Sequence, residues 1–174
     1  NKQLAIDTAK EQMAAARAQS VEDMLTVIRG AGNVVSSASV FLSNFPEQAS
    51  SLVGLDVLYS QIQGNEHYYG LYSAAAQSGD FYQNINLPSD WRTFGPDQRP
   101  VPEGIDRVQR IISERADTRV ETYYWTNDGT PPRPFLSRAT EYDPRSRPWY
   151  IGAIEQSEIF ITPLYLFEST GGLG

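Results

Sequence analysis

HYYGLYSAAAQSGDFYQNI, residues 67–85, is where this chain changes character. Two aromatic runs, 68–72 and 81–85, flank Gln77, Ser78, Gly79 and Asp80, residue types that supply turn geometry, so the stretch predicts a β-hairpin. Residues before it have helical spacing and residues after it have strand spacing. Helices first and strands later place the chain in the α+β class rather than among alternating α/β folds.

Upstream, Leu4, Ala5, Ala9, Met13, Ala16, Val21, Met24, Leu25 and Ile28 recur at spacings of three and four. Gly30 and Gly32 loosen the pattern, and Val34, Val35, Ala38, Val40, Phe41 and Leu42 resume it up to Phe45 and Pro46, where proline disfavours helix at the residue before it. The reading is one helix of about 40 residues, ~60 Å long; two helices broken at residues 30–32 are the alternative. So long a helix overhangs a small domain and calls for a partner, and the Ala-rich stretch 13–18 would let a second helix approach closely. Residues 48–63 repeat helical spacing through Leu52, Leu55, Leu58 and Ile62, with Gly64 and Asn65 as the stop. The domain assignment is 1–46 for the long helix and 47–174 for the sheet-bearing part.

Downstream, residues 87–104 are crowded with Pro, Gly and Asp and predict a long surface loop that Trp91 and Phe94 fold back onto apolar ground. Residues 108–113 and 118–126 predict two strands, the second ending at Asn127, Asp128 and Gly129. Pro131, Pro132 and Pro134 argue against regular structure before a short strand within 135–142. Pro148 predicts the first turn of a short helix through Ala153 and Ile154, and Ile159, Ile161 and Leu164 predict a last strand.

Composition removes several classes of function. The 174 residues carry 14 Lys and Arg against 21 Asp and Glu, a net charge of -7, with no basic stripe to track phosphates, so nucleic acid is not an expected partner. The absence of cysteine excludes a disulfide scaffold, a thiolate zinc site and a cysteine nucleophile. No uninterrupted apolar run reaches ~18 residues and no charged-then-apolar leader opens the chain, so the expectation is a soluble chain whose membrane crossings lie outside it. His67, the only histidine, stands at a strand start and is assigned no role. Without a phosphate loop, a nucleophile elbow or a His-Glu metal helix, neither catalytic residues, a metal nor a cofactor is expected.

The densest chemistry lies in YDPRSRPWY, residues 142–150. Arg147 and Trp149 beside Tyr142 and Tyr150 offer a planar guanidinium fork, an indole donor and two phenols, an inventory suited to a carboxylate. Equally, Asp143 and the prolines could form a rigid turn in which Arg145 or Arg147 pairs locally and Trp149 fills the core. Both readings stand on the residues alone.

This segment resembles the signature of double Cache domains, the PAS-like extracytoplasmic sensors of bacterial transmembrane receptors. TPLYLFESTG, residues 162–171, resembles the next segment of that family, and the long first helix matches the family's dimerising helix in order and position. The resemblance implies a Cache fold, in which a long N-terminal helix leads into a PAS-like antiparallel sheet with small flanking helices. It further implies a small-molecule ligand, a homodimer through the N-terminal helix, and a place on the periplasmic or extracellular face of the cell membrane. Amino-acid-sensing members carry Tyr, four residues, then Arg-x-Trp-Tyr, which falls here on Tyr142, Arg147, Trp149 and Tyr150, with Tyr165 as a further ligand-binding position. The family's aspartate two residues after that tyrosine is Phe167 here, and a further aspartate of the pattern would fall beyond Gly174. The loss of an anionic partner for an ammonium group brings plain carboxylates into competition with amino acids as ligands. Two functions are compatible with this: a carboxylate-binding sensor domain, without catalysis of its own, or a structural and protein-interaction module of the same fold with no small-molecule ligand.

Overall fold

The computed structural model describes residues 2–49, 52–156 and 158–163. Its first element is a helix of 43 residues, α1 (Lys2–Asn44). Ala, Gln, Glu, Lys and Met dominate its first half, all good helix formers, and i to i+4 bonds from Gln3 to Asp7 (2.9 Å) and Gln19 to Asp23 (2.7 Å) support the exposed face. The helix runs unbroken through both glycines, and each glycine instead marks a contact. A Cβ on Gly30 would collide with the Tyr68 hydroxyl, which donates to the carbonyl of Val27 at 3.3 Å, and one on Gly32 would press on Ile159. Among the described residues of α1 only Ala38 is buried. Leu4, Met13, Val21, Met24, Ile28, Val35 and Val40 all stand exposed. α1 also has the length and composition to cross a membrane, with an 18-residue window of mean hydropathy 1.3. Polar residues, singly or in groups of two or three, interrupt every apolar run in it, which is why counting uninterrupted runs passes it over.

Past Phe45 come α2 (Pro46–Ala49) and α3 (Leu52–Tyr59). The expected helix over 48–63 therefore ends early. Beyond Tyr59 the backbone tightens into short-range turns, with Gln61 bonded to Leu58 at 3.2 Å and Ile62 to Tyr59 at 2.8 Å. These turns keep Leu58, Tyr59 and Ile62 buried and so mimic the spacing of a longer helix. Gly64, at φ +71°, turns the chain toward the sheet.

The sheet is antiparallel, in the order β1 (Gly70–Ala74), β2 (Phe81–Asn86), β5 (Arg107–Arg115), β6 (Thr118–Asn127) and β7 (Thr130–Ala139). The hairpin of residues 67–85 is β1 and β2, paired from Gly70 opposite Ile85 to Ala74 opposite Phe81. Inside the expected loop, a two-stranded ribbon of β3 (Thr93–Phe94) and β4 (Arg99–Pro100) seats Phe94 in the core with Ile85, Leu87, Val108, Tyr123 and Trp125. Trp91 packs on the same cluster, and Phe135 stacks on Trp125 with ring centres 3.9 Å apart.

Two strand expectations are corrected. The prolines of 131–134 do not prevent a strand, because among the described residues β7 is an edge strand with no neighbour on its outer side to need their missing donors. They coincide with irregular register, between Tyr123 and Tyr124 and between Trp125 and Asn127, where the ladder already skips a bond. The strand expected through Ile159, Ile161 and Leu164 is not formed in 158–163, and Leu164 lies outside the described residues. Residue 159 instead approaches Gly32 of α1, and Phe160 lies against Gly152 of the helix α4 (Pro148–Glu155), so contacts with two helices replace a ladder.

Gly70 is the tightest point of the hairpin, since a Cβ there would run into the backbone carbonyl of Asn84 on β2. Backbone has little freedom to yield. Gly70→Ala should destabilise the fold by about 1–3 kcal/mol, read as a lowered urea midpoint with an unchanged slope.

Candidate functional site

Strand side chains alternate faces, so register decides which residues meet. With Gln83 opposite both Tyr72 and Arg110, and Arg110 opposite Tyr123, one face carries Tyr72, Phe81, Gln83, Arg110, Ile112, Glu121 and Tyr123. The segment after β7 is delivered onto this face. Tyr142 is buried and packs on Phe81 at 5.3 Å between ring centres. Asp143 caps a 3-10 turn, Pro144–Ser146, by accepting from the backbone of Arg145 at 2.9 Å. Pro148 then opens α4, where a missing N–H is harmless.

The turn sorts the two arginines. Arg145 takes Asp143, with Nη2 to Oδ2 at 2.7 Å and Nε to Oδ1 at 2.9 Å, and also donates to the carbonyl of Gln77 at 2.9 Å. Arg147 lies with its guanidinium carbon 4.6 Å from the centre of the Tyr142 ring. Arg145 thus forms a local ion pair of the kind weighed from the sequence. Trp149 meets Tyr72 edge-on at 4.8 Å and lies 6.3 Å from Phe81. Tyr142, Arg147 and Trp149 thus converge, while Tyr150 touches the group through the edge of Trp149 at 5.7 Å. Tyr165 and Phe167 lie outside the described residues.

Beneath the aromatic layer sits a charge cluster that the sequence reading missed. Arg110, 3% exposed, donates from Nε to Oε1 of Glu121 at 2.6 Å. Glu121, 1% exposed, also accepts from the Tyr123 hydroxyl at 2.9 Å and from Arg138 Nε at 2.7 Å. The Arg110 guanidinium stands over three rings, Tyr142 at 4.8 Å, Phe81 at 5.4 Å and Tyr123 at 5.5 Å. Strand alternation carried a usable signal, an arginine flanked on its own face by Val108 and Ile112, with a glutamate on the next strand of the hairpin.

Arg119 fastens the site to the β1–β2 turn. Its Nε donates to the carbonyl of Tyr142 at 2.7 Å, and its terminal nitrogens reach the carbonyls of Ser78 and Gly79. Gly79 adopts φ +69° directly against Arg145, a place where a side chain would meet both backbone strain and collision.

The opposite face of the sheet is tied to α3. Arg107 is buried, stacks on Tyr59 at 4.6 Å, and pairs with Asp128 at 2.8 Å and Asp56 at 3.2 Å. Burial, with Asp106 nearby, pushes the Tyr59 phenol up to about 12. An open cleft of about 420 Å³ lies beside this network, lined among others by Asp56, Gln63, Arg107 and Asp128.

No family model, curated protein or solved structure matches this chain. The site is therefore interpreted on its own geometry.

That geometry makes stability depend on acid. Burial alone would raise the Glu121 carboxyl, but Arg110, Arg138 and the Tyr123 hydroxyl outweigh it and hold the group below the usual range. Hydrogen bonds from Arg145 bring Asp143 down to about 2. A carboxyl depressed in the folded state contributes stability that is complete above its unfolded value, about 4.3 for Glu, and is lost as pH falls through the folded value. Unfolding free energy should hold steady above about pH 5 and fall between about pH 4.5 and 2. Glu121→Gln should flatten that acid limb and cost about 3–5 kcal/mol at neutral pH by leaving Arg110 buried without its anion. Urea titrations from pH 2 to 7 measure both, and an acid limb as steep as wild type in the variant would contradict the assignment.

Proposed function

We propose that this chain is an extracytoplasmic ligand-binding sensor domain of the double Cache class from a bacterial signal-transduction receptor. It binds a small carboxylate-containing molecule, amino acids included, beneath the segment 142–150. The observation that carries the reading is the position of Arg147 over the Tyr142 ring, beside the aromatic group formed by Trp149, Tyr72 and Phe81, while the neighbouring Arg145 serves the turn. A guanidinium backed by aromatic walls binds both oxygens of a carboxylate while the rings exclude water. The domain itself acts by binding rather than catalysis, on the periplasmic or extracellular side of the membrane.

A thermal-shift screen against short carboxylates and L-amino acids should find a ligand that raises the melting temperature, since binding the native state alone stabilises it by mass action. Arg147→Ala should abolish that shift with the fold intact, a loss of about 2–5 kcal/mol in binding. An unchanged affinity in the variant would remove Arg147 from the site, and silence across the whole screen would favour an interaction module with no small-molecule ligand.

The signal leaves the domain through α1, paired with α1 of a second copy. Val21, Met24, Ile28 and Val35 are exposed and recur at the three-four-seven spacing of a coiled-coil seam. A shift of this helix pair between two arrangements would carry ligand occupancy toward the membrane. Sedimentation should show weak, concentration-dependent dimers that Met24→Glu dissolves. Strictly monomeric behaviour at high concentration would count against the helix pair.

A further inference from the structure

Gln83 occupies the middle of the site face, on β2 between Phe81 and Ile85, directly opposite Tyr72 on one side and Arg110 on the other. It is 3% exposed, and its side-chain carbonyl oxygen, Oε1, is buried without a hydrogen-bond partner. Residues directly opposite in an antiparallel pair stand about 4.5–5.5 Å apart at Cβ, so this oxygen belongs to the same cluster as Arg110 and the aromatic layer above it. A buried amide oxygen without a donor is destabilising. Its strongest neighbours are committed elsewhere: Arg110 gives Nε to Glu121, and the Tyr123 hydroxyl goes to the same carboxylate. Glu121 in turn is shared among Arg110, Arg138 and Tyr123. Among the described residues, the cluster therefore holds a saturated anion and an unused neutral acceptor.

We propose that Gln83 determines specificity at the carboxylate site by accepting a hydrogen bond from the ligand, whose carboxylate is accompanied by an N–H or O–H donor. The inference rests on the carboxylate-binding reading above and narrows it: the ligand class is 2-amino or 2-hydroxy acids, and plain carboxylic acids of the same skeleton bind poorly. Arg147 holds the charged end, and Gln83 reads the donor. The discrimination follows from cost, because a ligand lacking the donor leaves the oxygen buried and unpaired in the complex as well.

Titration calorimetry with two matched series tests it: L-alanine, L-lactate and propionate, then L-leucine, its 2-hydroxy counterpart and 4-methylpentanoate. Within a series, the amino or hydroxy acid should bind at least roughly 10-fold more tightly than the plain acid, and Gln83→Leu should erase that difference. The ligand-free Gln83→Leu protein should melt higher than wild type, by roughly 2–6 °C, because the variant removes an unpaired buried oxygen at nearly constant volume. Equal binding of all three acids by wild type, or preserved discrimination in Gln83→Leu, overturns the proposal while leaving the carboxylate site standing. A lowered melting point of the ligand-free variant overturns it too, since that is the mark of an oxygen already serving the fold. If no acid of either series binds wild type, the carboxylate reading falls and this inference with it.

Discussion

The structure depends on how one buried carboxylate is neutralised. Glu121 points into the face of the sheet on which the core and the site are built, and two arginines and a phenol meet it there. An ion buried with one partner missing costs more than its Coulombic attraction returns, so the arrangement must be satisfied as a unit. Its partners come from β5, β6 itself and β7, which locks the register of three strands by chemistry as well as by backbone bonds. It also fixes Arg110 beneath Tyr142, giving the aromatic segment a positive floor.

The second constraint acts on the segment above that floor. Residues 142–150 comprise a 3-10 turn and the first turn of α4, with no strand pairing to tie them to the sheet. Arg119 and Arg145 instead bind the turn between β1 and β2 through the carbonyls of Gln77, Ser78 and Gly79, with Asp143 closing the set. The first hairpin and the late segment thus form one unit although they are far apart in sequence. Such a join is what a binding site on a single sheet face needs: side chains from β1, β2 and α4 held at fixed separations. Arg145, adjacent in motif to Arg147, serves as a structural brace in this scheme.

The elements the sequence revealed were those governed by local rules. The long helix followed from apolar spacing and from a proline that could only lie at its end, and the hairpin of 67–85 from two aromatic runs around a turn. The helix expected over 48–63 ended early in local turns, whereas the strand misreadings were questions of neighbours. Proline forbids a strand only where another strand needs its donor, and nothing in residues 130–134 says that β7 would lie at an edge. The apolar alternation of Ile159 and Ile161 suits a strand, but helices rather than a sheet edge border it. Gly30 and Gly32, across which the apolar spacing already carried a single helix, are explained only by Tyr68 and Ile159, which lie against them.

The same division holds for the site. Sequence alone determined that Tyr142, Arg147 and Trp149 would stand close together, because a short turn followed by a helix start leaves few other outcomes, and that the fold would be a long helix followed by a sheet. Asp143 and the carbonyl of Gln77 decided that the turn would take Arg145, whereas the rings around Arg147 and the placing of Arg110, Glu121 and Gln83 beneath them were decided only by the tertiary structure. Periodicity reports which side of its own element a residue takes. It carries no information about what the opposite element brings to that side, and burial of charge, the orphaned acceptor and the reach of each guanidinium all depend on that meeting.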